Sequence, residues 1–211
     1  MPDTIRRRRP ESRPEEILDA ALSVFAEKGF TAARVEDIAR EAGLSKGAVY
    51  LYFASKEAML NGLVERSAGH LAKTAEAMIA SGAPHDAETG FRNLLRMLFT
   101  SMADPAISAA PRLVFAEAGR FPGIADFYRR EVLEIARRAM RALLEVGVGG
   151  GVFRPVDADA FMRAVAGPAL AHMTLTTIFS LPPDDLTDPA DMADALADIL
   201  LHGLKPRDPA S

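Results

Sequence analysis

The residues best suited to chemistry stand close together: Ser45-Lys46-Gly47-Ala48, then Tyr50, Leu51 and Tyr52, then Lys56 just beyond Ser55. Lys46 can donate to guanine acceptors or to phosphate, while Gly47 and Ala48 let the backbone approach a groove floor or a thymine methyl. Tyr50 brings a hydroxyl for a phosphate oxygen. Lys56, at the start of a helix capped by Ser55, offers charge and free N–H groups for another phosphate. This is the chemistry of reading duplex DNA. The residues of a catalytic site do not assemble in the same way. His70, His85, His172 and His202 show neither metal-ligand spacing nor a carboxylate paired on the same face. With no cysteine, thiol catalysis, disulfides and cysteine metal sites are excluded. There is no nucleophile elbow and no phosphate-cradling glycine loop after a strand. The glycine cluster Gly147, Gly149, Gly150 and Gly151 reads as a turn or hinge. The expectation is a protein without enzymatic activity, cofactor or metal.

Two short helices and a tight turn must position these side chains. The spacing predicts helices over about Val35–Ala42 and from just after Ser45 to about Phe53, with Gly43 supplying the positive φ of the turn. Ala39 is small where the helices cross. Val35, Ile38, Ala42 and Leu44 on one side, with Val49 and Phe53 on the other, close a small core. That leaves Ser45, Lys46, Gly47, Ala48, Tyr50 and Leu51 on the outer face, the end that a helix-turn-helix offers to the major groove.

The stretch from Ile17 to Leu63 resembles the N-terminal domain of TetR-family regulators. The resemblance rests on Ile17-Leu18-Asp19-Ala20-Ala21, Phe25, Lys28-Gly29-Phe30, Val35-Glu36-Asp37-Ile38-Ala39, Ala42 through Tyr50, Tyr52-Phe53, Ser55-Lys56-Glu57 and Leu60. It implies a three-helix DNA-binding head on an all-helical body that binds an effector and dimerises. It further implies a repressor released from its operator by a small molecule; the alternative is a DNA-binding regulator with no effector. In the family the residues matching Lys46, Gly47, Tyr50 and Lys56 commonly touch DNA. Where family members often carry Thr or Ser before the second helix, Ala33-Arg34 stands here, so the cap is lost, although Arg34 can still serve phosphate.

The helical period continues to Leu204, and no stretch alternates as a strand does. The fold class expected is all-α with about nine helices. Residues 1–11 form an arginine-rich arm, 12–54 the helix-turn-helix domain and 55–211 the effector-binding and dimerisation domain. Ser12 to Glu15 reads as a capping box, with Pro14 in the first turn. Arg6–Arg9 are either a solvated terminus or an arm that tracks phosphates or enters a minor groove. The 211 residues carry a net charge of −4. Residues 1–56 hold +1 and the remainder −5, so a locally basic module can ride on an acidic carrier. No apolar run reaches the roughly 20 residues of a membrane span, and a cytoplasmic protein is expected.

In the body, effector contacts are expected among Met102, Arg112, Phe115, Glu117, Phe121, Phe127, His172, Met173 and Thr176. Met and Phe can line an adaptable apolar cavity, although such stripes also make plain core. For a homodimer, the last two long helices offer Phe161, Val165, Ala169 and Met173, with Leu196, Ile199 and Leu200. The alternative is that both stripes face their own core.

Overall fold

A computed structural model describes residues 12–81, 86–177 and 188–205, and the side chains of 176 and 177 are not among those described. The described residues form nine helices and no strand. They are α1 (Arg13–Lys28), α2 (Val35–Glu41), α3 (Lys46–Tyr50), α4 (Lys56–Ala80), α5 (Ala87–Ala103), α6 (Pro105–Glu117), α7 (Pro122–Gly149), α8 (Ala158–Thr177) and α9 (Pro189–Leu204). Two helices change pitch within their length. A π-helical turn occupies Glu65–Gly69 in α4 and another Arg129–Leu133 in α7. The all-α expectation holds. Arg6–Arg9 lie outside the described residues.

Local chemistry explains most helix ends. Asp86 accepts from the backbone N–H groups of Glu88 and Thr89, and Asp188 accepts from that of Ala190, with Pro189 in the first turn. At the start of α1 the capping box does not form. The Ser12 hydroxyl donates to Glu16 at 3.3 Å and caps no backbone N–H. Helix α3 ends at Tyr50 rather than near Phe53, and in the turn that follows the Val49 carbonyl accepts from the amides of both Tyr52 and Phe53.

The chain packs as two compact units. The first holds the described residues up to Arg66 together with Ala109–Tyr128; the second holds Ser67–Ser108 and the described residues from Arg129 onward. The core of the first contains Ile17, Phe25, Phe30, Ile38, Val49, Met59 and Leu60, all fully buried. In the second, Phe91, Leu95, Phe99, Met140, Leu143 and Leu201 are buried where α5, α7, α8 and α9 meet. Salt bridges from Arg92 to Asp198 (2.7 Å) and from Arg96 to Asp194 (2.5 Å) flank the α5–α9 contact. Being exposed, such pairs fix register more than they add stability.

The glycine cluster is a tight cap. The amides of Val152 and Phe153 donate to the Gly147 carbonyl, and Gly151 takes a φ of 72°. The Phe153 ring then lies on Gly147, where a Cβ would stand 2.0 Å from its carbons. The next residue, Arg154, donates its amide to Leu204 and its Nε to Gly203, satisfying carbonyls at the end of α9. Gly147→Ala is therefore expected to destabilise the second unit by about 1–3 kcal/mol through overpacking. Gly149→Ala, which meets nothing within 4 Å, should leave stability the same or higher. Thermal denaturation of the two variants side by side checks both.

Candidate nucleic-acid interface

The interface is built on a helix of only five residues. Ser45 caps α3 by accepting from the Ala48 amide at 3.1 Å. Gly43, at φ 66°, lets the chain leave α2 in a left-handed conformation, and the Leu44 amide closes the turn on the Ala39 carbonyl at 2.8 Å. Val49 is fully buried, as are Ile38 and Ala39 on the facing helix. With that side of α3 inward, Ser45, Lys46, Gly47, Tyr50, Leu51 and Tyr52 are exposed, and Ala48 is half-buried.

Leu51 is 83% exposed and stands beside the exposed Tyr50 and Tyr52, so three large side chains are displayed together on this face. Gly47 has no neighbour that a Cβ would strike, so packing does not require glycine there. What its absent side chain leaves is a shallow place in the outer face of α3. Arg34 is exposed at the start of α2 and makes no side-chain cap, as the sequence implies.

One partner of this face was not evident from the sequence. Glu36 accepts from Lys46 at 2.5 Å, joining the start of α2 to the start of α3 across ten residues. The Lys46 ammonium also stands 5.7 Å from the centre of the Tyr50 ring. The hydrogen bond from Lys46 holds the Glu36 carboxyl below the usual glutamate range and raises Lys46 in turn. Both groups are exposed, so the pair can be exchanged for another anion at small cost. The only hint in the sequence was the presence of opposite charges at the two helix starts.

Lys56 has several partners within the chain. It is half-buried, and its ammonium donates to the carbonyls of Phe30 (2.8 Å), Thr31 (3.1 Å) and Ala33 (3.4 Å). The residues proposed for effector contact fall into both units. In the first, Phe121 packs edge-on against Phe30 with centroids 5.2 Å apart, and Glu117 accepts from the Thr31 hydroxyl at 3.3 Å. Phe115, partly exposed, meets Tyr128 at 5.5 Å, and burial pushes the Tyr128 phenol up to about 12. Arg112 and Phe127 are half-buried in the same unit. In the second unit Met102 is half-buried, while His172 and Met173 are buried, His172 lying 6.1 Å from Phe99 between ring centres. The Thr176 side chain lies outside the described residues. An open cleft of about 270 Å³ along α7 is lined by Glu134, Arg137, Arg138 and Arg141, too charged to hold an apolar ligand.

Of the residues expected at a dimer interface, Phe161, Val165, Ala169 and Met173 are buried inside one subunit. They cannot also be the surface offered to a partner. The exposed face of α8 carries Ala160, Ala164, Gly167, Leu170, Ala171 and Leu175 instead, with the one charged side chain of Arg163 among them. On α9, Ile199 is 70% exposed, and Leu196 and Leu200 are half-buried. Both stripes of α8 are largely apolar at helical spacing, so periodicity alone could not choose between them.

Among the described residues no group of His, Asp and Glu is placed to hold a metal ion, and no helix is long and apolar enough to cross a membrane. A family profile described as bacterial regulatory proteins of the tetR family matches residues 17–63, and a tetracycline-repressor-like C-terminal domain profile matches 85–193. The first curated relatives match over 15–35% of their own length. The transcriptional repressor KstR2 of Mycolicibacterium smegmatis is 30% identical over 160 residues, 74% of this chain and 75% of that protein. The fatty acid degradation regulator FadR of Bacillus halodurans superposes with a TM-score of 0.73 at 25% identity, covering 96% of this chain and all of the other. FadR of Bacillus subtilis, solved with stearoyl-CoA, has the same fold at 22% identity and a TM-score of 0.71, over 90% of this chain and 98% of that one.

The Glu36–Lys46 pair gives the site a pH signature. A carboxyl held low keeps its ion pair above its ordinary range and loses it as pH falls through the lowered value. An NMR titration should therefore place the Glu36 midpoint below that of an ordinary glutamate, and Lys46→Ala should raise it toward the ordinary range, with the Glu36 backbone amide and Arg34 still holding it down in part.

Proposed function

Because this chain belongs to the TetR family of bacterial regulatory proteins and is a DNA-binding transcriptional regulator rather than an enzyme, we propose that it is a dimeric repressor released from its operator by a small molecule. The observation that carries this reading is the outer face of α3, where polar, small and aromatic side chains stand exposed over one fully buried anchor, Val49. With α3 in the major groove, Lys46 exchanges Glu36 for a base edge or a phosphate. Tyr50 and Arg34 donate to backbone phosphates, Leu51 and Ala48 meet thymine methyls, and Ser45, Gly47 and Tyr52 complete the contact. Two heads reading half-sites about 34–36 Å, or a multiple of that, apart require a two-fold dimer.

The exposed face of α8 supports that assembly. Ala160, Ala164, Gly167 and Ala171 recur at helical spacing and allow close backbone approach, with Leu170 and Leu175 beside them. On α9, Ile199 extends the apolar surface, with Leu196 and Leu200 at its edge. For the effector, the neighbour solved with stearoyl-CoA supports a molecule with a large apolar part, and long-chain acyl-CoA thioesters are the first to test. The protein then acts in the cytoplasm, where its DNA is.

Duplexes selected from a random pool by the wild-type protein provide the assay. Lys46→Ala and Tyr50→Ala should each weaken binding about tenfold or more, and Lys46→Ala should also lower the slope of affinity against salt. Glu36→Gln should strengthen binding at low salt, since it frees Lys46 for DNA. Equal affinity of wild type and both α3 variants would defeat the assignment of the reading helix. Separately, Gly167→Arg should convert the dimer into monomers by light scattering while each subunit keeps its helical content. A dimer that persists would place the interface elsewhere.

A further inference from the structure

The chain is acidic, with a net charge of −4, yet one stretch of α7 is strongly basic. Residues 129–141 carry five arginines against two glutamates, a surplus of three positive charges. Both glutamates are engaged: Glu134 pairs with Arg129, and Glu131 stands 3.8 Å from Lys73. The cleft of about 270 Å³ along this helix is lined by Glu134, Arg137, Arg138 and Arg141. All of these groups belong to the second unit.

Carboxylates on two neighbouring helices hold two of the three arginines. The Nε of Arg138 donates to Glu76 of α4 at 2.9 Å, and the Nε of Arg137 stands 2.7 Å from an oxygen of Asp159 on α8. A guanidinium has five N–H donors, so contacts through Nε leave the four on its terminal nitrogens for another partner. Arg96 on α5 shows the contrast, closing on Asp194 through Nε and a terminal nitrogen together. Arg141, one turn beyond Arg137, pairs with no carboxylate among the described residues.

Guanidinium groups match phosphate oxygens bidentately, and several together raise the local positive potential even on an acidic chain. The cleft is smaller than the roughly 300–1,000 Å³ of a pocket that encloses a drug-sized ligand. It can therefore seat phosphate groups while the rest of the molecule stays outside. Arg137 and Arg138 can share one phosphate, and Arg141, about 6 Å further along the axis than Arg137, can take a second. We propose that the α7 cleft binds the diphosphate group of a small phosphorylated molecule, with Arg137, Arg138 and Arg141 as its ligands and with Glu76 and Asp159 positioning the first two. Nucleotides and coenzyme A both carry that group. The inference does not rest on the assignment of α3 or on the effector named above.

The test titrates sodium pyrophosphate calorimetrically into wild type, Arg138→Gln, Arg141→Gln and Arg130→Gln at low ionic strength, with circular dichroism as the check on folding. Arg130 is exposed on the same helix but does not line the cleft. Wild type should bind saturably at one site per subunit. Arg138→Gln and Arg141→Gln should each weaken binding about tenfold or more, and Arg130→Gln less than about twofold. Competition then identifies the source, since ADP and coenzyme A displacing pyrophosphate alike supports a nucleotide-like metabolite, and much tighter displacement by coenzyme A supports a thioester. Heat that never saturates, or equal weakening in all three variants, would reduce the cleft to diffuse charge screening and overturn the proposal. So would unchanged pyrophosphate binding in Arg141→Gln with a DNA salt slope lowered by about 0.9 per subunit, which would assign the arginines to nucleic acid.

Discussion

A helix of five residues does not hold itself in water; isolated helices below about 12–15 residues are marginal. Helix α3 therefore owes its existence and direction to what surrounds it. Val49 anchors it in the core, Gly43 turns the chain into it and Ser45 closes its first turn. Each of these constraints acts on the inner or leading side of the helix. The outer side is left without internal duties, and it is there that Lys46, Gly47, Tyr50 and Leu51 stand. The interface follows from the packing, since with Val49 inward nothing else can be displayed.

The same logic distinguishes a charge with one exposed partner from a charge with several. Lys46 and Lys56 both sit in the first turn of a helix and both look like phosphate ligands in the sequence. Lys46 is paired with one exposed carboxylate that another anion can replace. Lys56 is half-buried over three carbonyls and an aromatic ring. Comparable placement in the sequence thus gives a readily exchanged charge in one case and an occupied one in the other. In the second unit the terminal carbonyls of α9 are met by Arg154, delivered there by the tight turn at Gly147. Local geometry again decides which groups are left to act.

Much of this was legible in the sequence. Helical periodicity marked the all-α architecture, and Gly43, Ser45 and the buried pattern around Val49 located the turn and the display face. Legibility stopped where the answer depended on which of two equivalent surfaces turns inward. On α8 the stripe Phe161, Val165, Ala169 and Met173 and the stripe Ala160, Ala164, Gly167 and Ala171 are both apolar, and only packing shows that the larger side chains fill the core. It also stopped where partners are distant in the chain. Thr31 and Glu117 lie 86 residues apart, and no spacing rule connects Phe30 with Phe121. Glu117 and Phe121 were read as effector contacts because an apolar or charged side chain on a helix looks the same whichever neighbour it meets.

The central claim is that the outer face of α3 enters the major groove. The chain has no cysteine, so Gly47→Cys gives one attachment point in the most open part of that face. An iron chelate tethered there and activated on the selected duplex should cleave within the major groove at the centre of each half-site, in two clusters separated by about one helical turn or a multiple of it. Cleavage confined to the flanks or the minor groove, or none above free chelate on a duplex the labelled protein still binds, would contradict the account.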